Sequence, residues 1–263
     1  MTPSFRFMDR HRLLLSVAVA ALIVLAALVS RLTGPNIAGS VSEIRERGEL
    51  VVLTLRGPTI YRSGANGPDG YEVDLARAFA ESLGANPRFV VKPDIDSLLS
   101  ALDRGQGHVA TGNLTVTEAR ETRIRFGPPY KNVTEQLVCR RGGVVPDDLG
   151  ELTGVTIGVV EGSSYIETLM ALRAGAPDLT WQTRPAGSAM PLLAAVDAGE
   201  IDCTVADSHL VDHAQRRLPE LLVAFDLTED RPLAWVVSAQ TAGLTETLDT
   251  WFAEAHESGL LHA

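Results

Sequence analysis

The sequence is poor in cysteine and in basic residues, and each shortage excludes classes of protein. Only two cysteines, Cys139 and Cys203, occur in 263 residues, too few for a disulfide scaffold and without metal-site spacing. We interpret them as two separately buried thiols, with a bond between them as the alternative. Lysine and arginine total 23 against 33 acidic residues, for a net charge of −10. Because an acidic surface repels phosphate backbones, no nucleic-acid partner is predicted.

Patterns typical of catalytic or metal sites are also missing. His209 and His213 are spaced i, i+4, but no His-Glu-x-x-His motif surrounds them, and we interpret them as an exposed helix face. No serine lies in the strand-to-helix elbow that exposes a hydrolase nucleophile. The sequence therefore predicts no catalytic residue, no metal and no cofactor within this chain.

One uncharged stretch, Leu13–Ser30, differs from the rest of the chain. As a helix it is roughly 27 Å long, close to the ~30 Å hydrocarbon core of a bilayer. No cysteine lies directly after it, so a lipid anchor is excluded. A membrane-spanning helix is the favoured interpretation. A cleaved signal peptide, with a small-residue site at Ala38-Gly39-Ser40, is the alternative.

Basic residues crowd the N-terminal side of that stretch, which orients this end to the cytoplasm. We expect a basic cytoplasmic flank over residues 1–12, the anchor over 13–30 and a linker over 31–45. The prediction is a single pass through the inner membrane, with the main domain facing the periplasm.

From Glu49 onward, short apolar strands alternate with helical periodicity. The predicted strands are Leu50–Leu55, Arg88–Val91, His108–Gly112, Thr134–Arg140, Val155–Val160, Leu179–Thr183, Ile201–Ala206, Leu222–Phe225 and Leu233–Ser238. Between them, apolar residues recur at helical spacing, as in Ala76, Phe79, Ala80 and Leu83. This alternation predicts an α/β fold of mainly parallel sheets with helices on both faces, which binds ligands at the carboxyl ends of its strands.

Arg120 stands in a segment with binding chemistry. A strand ends in the small polar residues near Thr111, a short helix begins at Thr117, and Arg120 follows. Its planar guanidinium can hold a carboxylate with two parallel hydrogen bonds; an exposed ion pair is the alternative. The following Phe126-Gly-Pro-Pro-Tyr is predicted to be a turn, because consecutive prolines cannot continue a helix.

Two further strand ends carry polar residues. Ser163 and Ser164 follow a buried strand at a glycine-containing turn, where backbone N–H groups point at an anion. Asp207 ends another apolar strand, where an unpaired carboxylate is costly. Helix capping is the alternative for each. Together with Arg120, these residues suit a carboxylate and an ammonium, as in an amino acid or a peptide end.

The chain from about Glu46 to Ser258 resembles the family 3 extracellular solute-binding proteins. The matching segments are Gly70-Tyr-Glu-Val-Asp-Leu-Ala-Arg-Ala-Phe-Ala, Thr115-Val-Thr-Glu-Ala-Arg with Phe126-Gly-Pro-Pro-Tyr, Gly158-Val-Val-Glu-Gly-Ser-Ser, and Gly199-Glu-Ile-Asp with Ala206-Asp. Within the family it is most similar to the N-terminal module of membrane-bound lytic murein transglycosylase F. The segments pointing there are Thr111-Gly-Asn-Leu-Thr, Thr134-Glu-Gln-Leu-Val, Val205-Ala-Asp-Ser and Val223-Ala-Phe-Asp-Leu-Thr-Glu-Asp-Arg-Pro-Leu-Ala-Trp.

The resemblance implies a periplasmic-binding-protein-like (type II) fold over residues 46–258, with two α/β lobes joined by two crossover strands. Lobe 1 is expected over about 46–138 plus 228–258, and lobe 2 over about 139–227.

The resemblance also implies roles for the site residues. Arg120 is expected to grip the ligand carboxylate with Thr115 and Asn113 beside it. Ser163 and Ser164 are expected to donate from lobe 2, and Asp207 to receive an ammonium. Transport-type members carry an aromatic lid after the first strand, where this chain has Leu55-Arg56-Gly57-Pro58. Arg56 and Tyr61 are expected near the mouth of the cleft.

The resemblance leaves two functions open. The first is a membrane-anchored regulatory module that binds an amino acid or a muropeptide stem, with a lytic transglycosylase domain as its partner. The alternative is the substrate-binding component of a polar amino-acid ABC importer, with a permease as its partner. In the transglycosylase relatives the catalytic glutamate lies in a lysozyme-like domain after the binding module. Catalysis is therefore expected only from a further domain, if one is present.

Overall fold

Two five-stranded sheets, each with helices packed against it, form two lobes. The computed structural model describes residue 37 and residues 39–65 and 67–262. The strands are β1 (Gly39–Ser40), β2 (Glu49–Thr54), β3 (Arg62–Gly64), β4 (Gly67–Asp69), β5 (Asn86–Val91), β6 (Val109–Ala110), β7 (Arg125–Val133), β8 (Glu135–Arg140), β9 (Ile157–Val160), β10 (Gln182–Arg184), β11 (Cys203–Asp207), β12 (Leu221–Asp226), β13 (Arg231–Val237) and β14 (Thr241–Ala242). The helices are α1 (Val41–Arg47), α2 (Tyr71–Ser82), α3 (Ile95–Asp103), α4 (Glu118–Glu121), α5 (Ser164–Leu172), α6 (Met190–Asp197), α7 (Ser208–Gln215) and α8 (Leu244–Glu257), with 3₁₀ turns at Leu149–Leu152 and Leu260–His262.

The chain crosses between the lobes twice. The lobe 1 sheet has the order β5-β2-β6-β13-β7, and the lobe 2 sheet has the order β10-β9-β11-β8-β12. The first crossing lies at Thr134, where β7 leads into β8, and the second lies between β12 and β13. All of β8 pairs within the lobe 2 sheet, so the first crossing comes a few residues before the expected boundary at about 138.

Both sheets are mixed, which corrects the expectation of mainly parallel sheets. In lobe 1, β5, β2 and β6 are parallel, whereas β13 pairs antiparallel with β6 and β7. In lobe 2, β8 runs antiparallel to β11 and β12. The antiparallel strands are those beside the two crossings, because a strand that enters from the other lobe does not follow a right-handed crossover helix.

The Phe126-Gly-Pro-Pro-Tyr segment was predicted as a turn, and this prediction is wrong. The segment lies within β7, a nine-residue strand at the edge of the lobe 1 sheet. An edge strand tolerates proline because one of its sides has no neighbouring strand, and a residue facing that side needs no N–H donor. The pairing with β13 also shifts register on either side of Ala234, next to Pro129. The prolines are thus accommodated by an edge position and a β-bulge.

Cys139 and Cys203 form a disulfide. This corrects the interpretation of two separate thiols. Cys139 on β8 and Cys203 on β11 are directly opposite in the antiparallel register, and both are fully buried. The bond therefore joins neighbouring strands that lie 64 residues apart in the chain.

Apolar cores lie both within lobe 1 and across the two lobes. One core lies within lobe 1, where Phe79, Trp235, Trp251 and Phe252 form edge-to-face and stacked ring pairs. The other core continues from lobe 1 into lobe 2 as one cluster of buried residues. Apolar packing thus contributes to lobe contact alongside the polar groups of the cleft.

The predicted cytoplasmic flank and membrane anchor, and residues 31–36 and 38 of the predicted linker, lie outside the described residues. Residues 39–45, the end of the predicted linker, lie instead in β1 and helix α1. Within the described part of the chain, no helix is both long and apolar enough to cross a bilayer.

Candidate functional site: the cleft between the lobes

A cavity between the lobes is lined by all six predicted ligand-binding residues. These residues are Asn113, Thr115, Arg120, Ser163, Ser164 and Asp207. The cavity holds only about 30 Å³, the space of a water molecule rather than of an amino acid. The lobes are therefore in a closed arrangement, and a ligand of the predicted size needs them to separate first.

Arg120 connects the two lobes across this cavity. Thr117 caps helix α4 by accepting from the backbone N–H of Arg120, which fixes the arginine beside the end of the preceding segment. Nη1 donates to the carbonyl of Thr115 (3.0 Å), and Nη2 donates to the carbonyl of Gly162 in lobe 2 (2.8 Å). Gly162 reaches this position with a left-handed backbone, at φ 71°.

The guanidinium of Arg120 is nearly enclosed. Its side chain is 10% exposed, and Nε lies 3.9 Å from a carboxylate oxygen of Glu167. Burial lowers the pKa of Arg120 below its ordinary value, although Glu167 and Glu135 act in the opposite direction. Arginine nevertheless stays protonated in proteins. The closed cleft therefore holds a permanent cation whose two outer nitrogens are satisfied only by neutral carbonyls.

The two serines have different roles in the structure. Ser163 is the N-cap residue of helix α5 but makes no side-chain cap, and its hydroxyl donates to the carbonyl of Val160 (2.6 Å). Ser164 Oγ donates to Oε1 of Glu135 (2.6 Å) and lies 3.1 Å from Oγ1 of Thr115 in lobe 1. Of the two hydroxyls, only that of Ser164 therefore bridges the lobes.

Asp207 is a buried carboxyl with an unused acceptor. It precedes helix α7 but makes no side-chain cap, so the capping alternative is not what the structure has. Among the described residues, no group donates to its Oδ1. Burial raises the pKa of Asp207 to about 8, and the nearby Glu135 adds to the rise; Tyr165, Arg120 and Lys131 oppose it. In the closed cleft Asp207 is therefore largely protonated near neutral pH.

A third polar contact between the lobes involves Asn113 and His209. The amide Nδ2 of Asn113 lies 2.9 Å from Nε2 of His209 and also donates to Oγ1 of Thr59 (2.9 Å). Burial lowers the pKa of His209 to about 3, so the ring is neutral and Nε2 accepts from the amide. Asn113 adopts a left-handed backbone, at φ 51°, which asparagine tolerates better than most residues.

Glu72 supports Asn113 from behind. It lies in the first turn of α2 and is fully buried, and it accepts from the backbone N–H of Asn113 (3.2 Å) and from the hydroxyl of Tyr130 (2.6 Å). Burial raises the pKa of Glu72 to about 7. Glu72, held by the hydroxyl of Tyr130, thus fixes the backbone of Asn113.

We expect Asp207→Asn to stabilise the empty protein, and increasingly so as the pH rises. The pKa of Asp207 is about 8 in the folded state against 3.8 for the free side chain. Between these values the folded state binds more protons than the unfolded state, so this group's contribution to stability falls with rising pH. Asparagine cannot ionise and avoids that loss.

Urea denaturation of wild type and Asp207→Asn at about pH 5 and about pH 8 measures this difference. Glu72 also has a raised pKa, but its contribution to the pH dependence of stability cancels because both proteins contain it. Asp212→Asn, an exposed carboxyl on the same helix, is the matched control and should show no pH-dependent gain. An Asp207→Asn difference that stays constant with pH contradicts a protonated Asp207.

Several cleft residues were not predicted from the sequence. Glu135, Tyr165 and His209 lie at the cleft and are buried or nearly so, and Glu72 lies behind it. Glu72 and Glu135 do occur within quoted family segments, but the sequence did not indicate that they face the site. His209 and His213 were interpreted as an exposed helix face, and this is wrong for His209, which is mostly buried and contacts Asn113 across the lobes.

Comparison with known proteins identifies the family. A profile of bacterial extracellular solute-binding proteins, family 3, matches residues 50–263. The chain belongs to this family. Its resemblance to the solute-binding proteins, inferred above from short segments, is thereby confirmed, and the match spans both lobes.

Two relatives carry the same name. The chain is 57% identical over 210 residues to membrane-bound lytic murein transglycosylase F of Maricaulis maris, covering 80% of this chain and 46% of the relative. It is 35% identical over 250 residues to the protein of that name from Aliivibrio fischeri, covering 92% and 50%. The chain spans about half the length of the curated relatives it matches.

Solved structures support the fold. An amino acid ABC transporter substrate-binding protein from Streptococcus pneumoniae, bound to L-arginine, superposes with a TM-score of 0.73. The two chains share 19% identity, and the match covers 84% of this chain and 94% of that one. At this identity the similarity establishes the two-lobed α/β fold and no more.

Proposed function

We propose that this chain is a ligand-binding regulatory module that captures an amino acid or a cell-wall peptide stem between its lobes. The observation that carries the proposal is the placement of Arg120 in lobe 1 and Asp207 in lobe 2 on one cavity. A zwitterion that enters this cleft can give its carboxylate to Arg120 and its ammonium to Asp207. Asp207 Oδ1 lacks a donor among the described residues, and a ligand ammonium supplies one.

The proposed setting is the periplasmic face of the inner membrane. The relatives named above are called membrane-bound and murein-directed, and the uncharged stretch Leu13–Ser30 suits an anchor. The disulfide between Cys139 and Cys203 is typical of an oxidising compartment outside the cytoplasm. A lytic transglycosylase domain is the proposed partner of the module. Closure of the module's lobes on a ligand is expected to change the activity of that domain.

A substrate-binding component of an amino-acid ABC importer is the second candidate. The match of residues 50–263 to the bacterial extracellular solute-binding proteins, family 3, favours it. The two candidates differ in their attachment to the membrane. Membrane fractions that keep the protein after a high-salt wash favour the anchored module, because salt screens charge but does not weaken apolar burial. A soluble mature chain that begins after the uncharged stretch favours the importer.

Ligand binding is expected to raise the thermal midpoint of the protein. Because a ligand held between the two lobes binds the folded protein and not the unfolded chain, it stabilises by about 2.7 kcal/mol at a hundred-fold excess over Kd. Differential scanning fluorimetry against free amino acids and stem peptides measures this shift. If no compound of either class shifts the midpoint at millimolar concentration, the zwitterion site is wrong.

A further inference from the structure

A second cavity, of about 500 Å³, opens beside the cleft. It shares Gly187 and Ser188 with the cleft cavity, so the two spaces adjoin. Lobe 1 contributes Arg56 and Lys92 to its lining, and lobe 2 contributes the loop between β10 and α6. Unlike the closed cleft, this cavity has the volume of a small-molecule site.

The strand pairing brings the two basic residues together. β2 and β5 are parallel neighbours with Thr54 opposite Val91, and Arg56 and Lys92 follow their carboxyl ends. The backbone N–H of Lys92 donates to the carbonyl of Thr54 (2.7 Å), which keeps the strand ends side by side. Both side chains therefore leave the sheet at the edge where this fold class binds its ligands.

The opposite wall is fixed by a close backbone approach. A side chain on Gly187 would place its Cβ 3.4 Å from the backbone N and O of Arg56 and 3.5 Å from the carbonyl of Pro93. The lobe 2 loop thus lies within van der Waals contact of lobe 1 at this point. The cavity is completed only when the lobes meet.

The charged lining of this cavity is entirely basic, in a chain whose net charge is −10. Among the described residues, neither Arg56 nor Lys92 forms an ion pair. The carboxylates next in sequence have other contacts: Asp94 accepts from the N–H of Ser97 (2.7 Å), and Asp96 lies against Gly162. Burial and the charge of Arg104 lower the pKa of Lys92, which means that they destabilise its charged form. A bound anion offsets this destabilisation.

We propose that Arg56 and Lys92 form a subsite for a second carboxylate on an extended ligand whose zwitterionic end occupies the cleft. The inference rests on the proposed function, and it narrows the ligand class. The ligand is a peptide, or an amino-acid derivative, with an acidic group beyond the one that Arg120 holds. A single neutral amino acid fills the cleft and leaves this subsite empty.

Matched ligand pairs test the subsite. Calorimetric titration compares L-Ala-L-Glu with L-Ala-L-Gln, and a stem tripeptide with its glutamate carboxyl free or amidated. Each pair differs in one carboxylate. The proteins are wild type, Arg56→Gln/Lys92→Gln and Arg45→Gln, which removes an exposed charge from helix α1 of the same lobe. We expect wild type to bind the acidic member of at least one pair about tenfold more tightly, a difference of about 1.4 kcal/mol.

The double variant should lose that preference and bind both members with the affinity that wild type has for the amide. Arg45→Gln should keep the preference, and added salt should reduce it in wild type. Equal binding of both members by wild type overturns the subsite and leaves the zwitterion cleft intact. A preference that survives in the double variant also overturns it. Failure of all four compounds to bind wild type overturns the proposed function itself.

Discussion

Replacing Arg120 by alanine is expected to weaken ligand binding by roughly thirty-fold or more. Removing one partner of a buried, hydrogen-bonded charge pair costs about 2–5 kcal/mol, because the other charge remains buried without its partner. In the closed structure both outer nitrogens of Arg120 already donate to carbonyls at the cleft. A ligand carboxylate replaces neutral acceptors with a charged one, and charge-assisted bonds are roughly twice as strong. Calorimetric titration with the compounds that raise the thermal midpoint measures the loss.

Two further variants show whether the loss depends on the shape of the Arg120 side chain and on its position. Arg120→Lys keeps the charge but not the planar fork, so we expect it to lose part of the affinity. Arg123→Ala removes an exposed arginine three residues away and should bind almost as wild type. If Arg120→Ala binds like wild type while Arg123→Ala does not, the site has been assigned to the wrong arginine.

Loss of the disulfide is expected to lower the free energy of unfolding by about 4 kcal/mol, on a chain-entropy estimate for a long closed loop. Cys139 and Cys203 are 64 residues apart in sequence, so the bond restricts a large part of the unfolded chain. Urea denaturation of Cys139→Ala/Cys203→Ala against oxidised wild type measures the change. Alanine keeps both buried positions apolar.

Reduced wild type provides the control for that variant. It lacks the bond but keeps both sulfur atoms. Any further loss of unfolding free energy in the alanine variant is therefore due to packing and not to the loss of the cross-link. Unfolding midpoints of the oxidised and reduced proteins that coincide contradict a stabilising disulfide.

Local sequence patterns were sufficient to predict most strands but not their pairing. Each of the nine predicted strands overlaps an observed one, because apolar runs bounded by polar residues are a local signal. β7 was missed because its two prolines are permitted only at a sheet edge, and edge position is decided by the whole topology. The disulfide was not the favoured interpretation for a related reason. Cys139 and Cys203 meet only through the register of β8 with β11.

Some residues of the candidate site could likewise be predicted from the sequence, and others could not. Arg120, Ser164 and Asp207 stand at strand and helix ends, where polar residues are visible in a single sequence, and the structure places them on one cavity. Glu135 and Glu72 could not be assigned to the cleft because their burial depends on partners far away in sequence. Ser164 and Thr168 donate to Glu135 from helix α5, and Tyr130 donates to Glu72 from β7.

The zwitterion cleft is tested most directly by titrating wild type with one ligand in three forms: free, N-acetylated and C-terminally amidated. Acetylation removes the ammonium intended for Asp207, and amidation removes the carboxylate intended for Arg120. We predict that each modification alone weakens binding to wild type by tenfold or more, about 1.4 kcal/mol. Arg120→Ala should no longer distinguish the amide from the free ligand, and Asp207→Asn should no longer distinguish the acetylated form. A modified form that binds wild type as tightly as the free ligand contradicts a cleft that holds both charges.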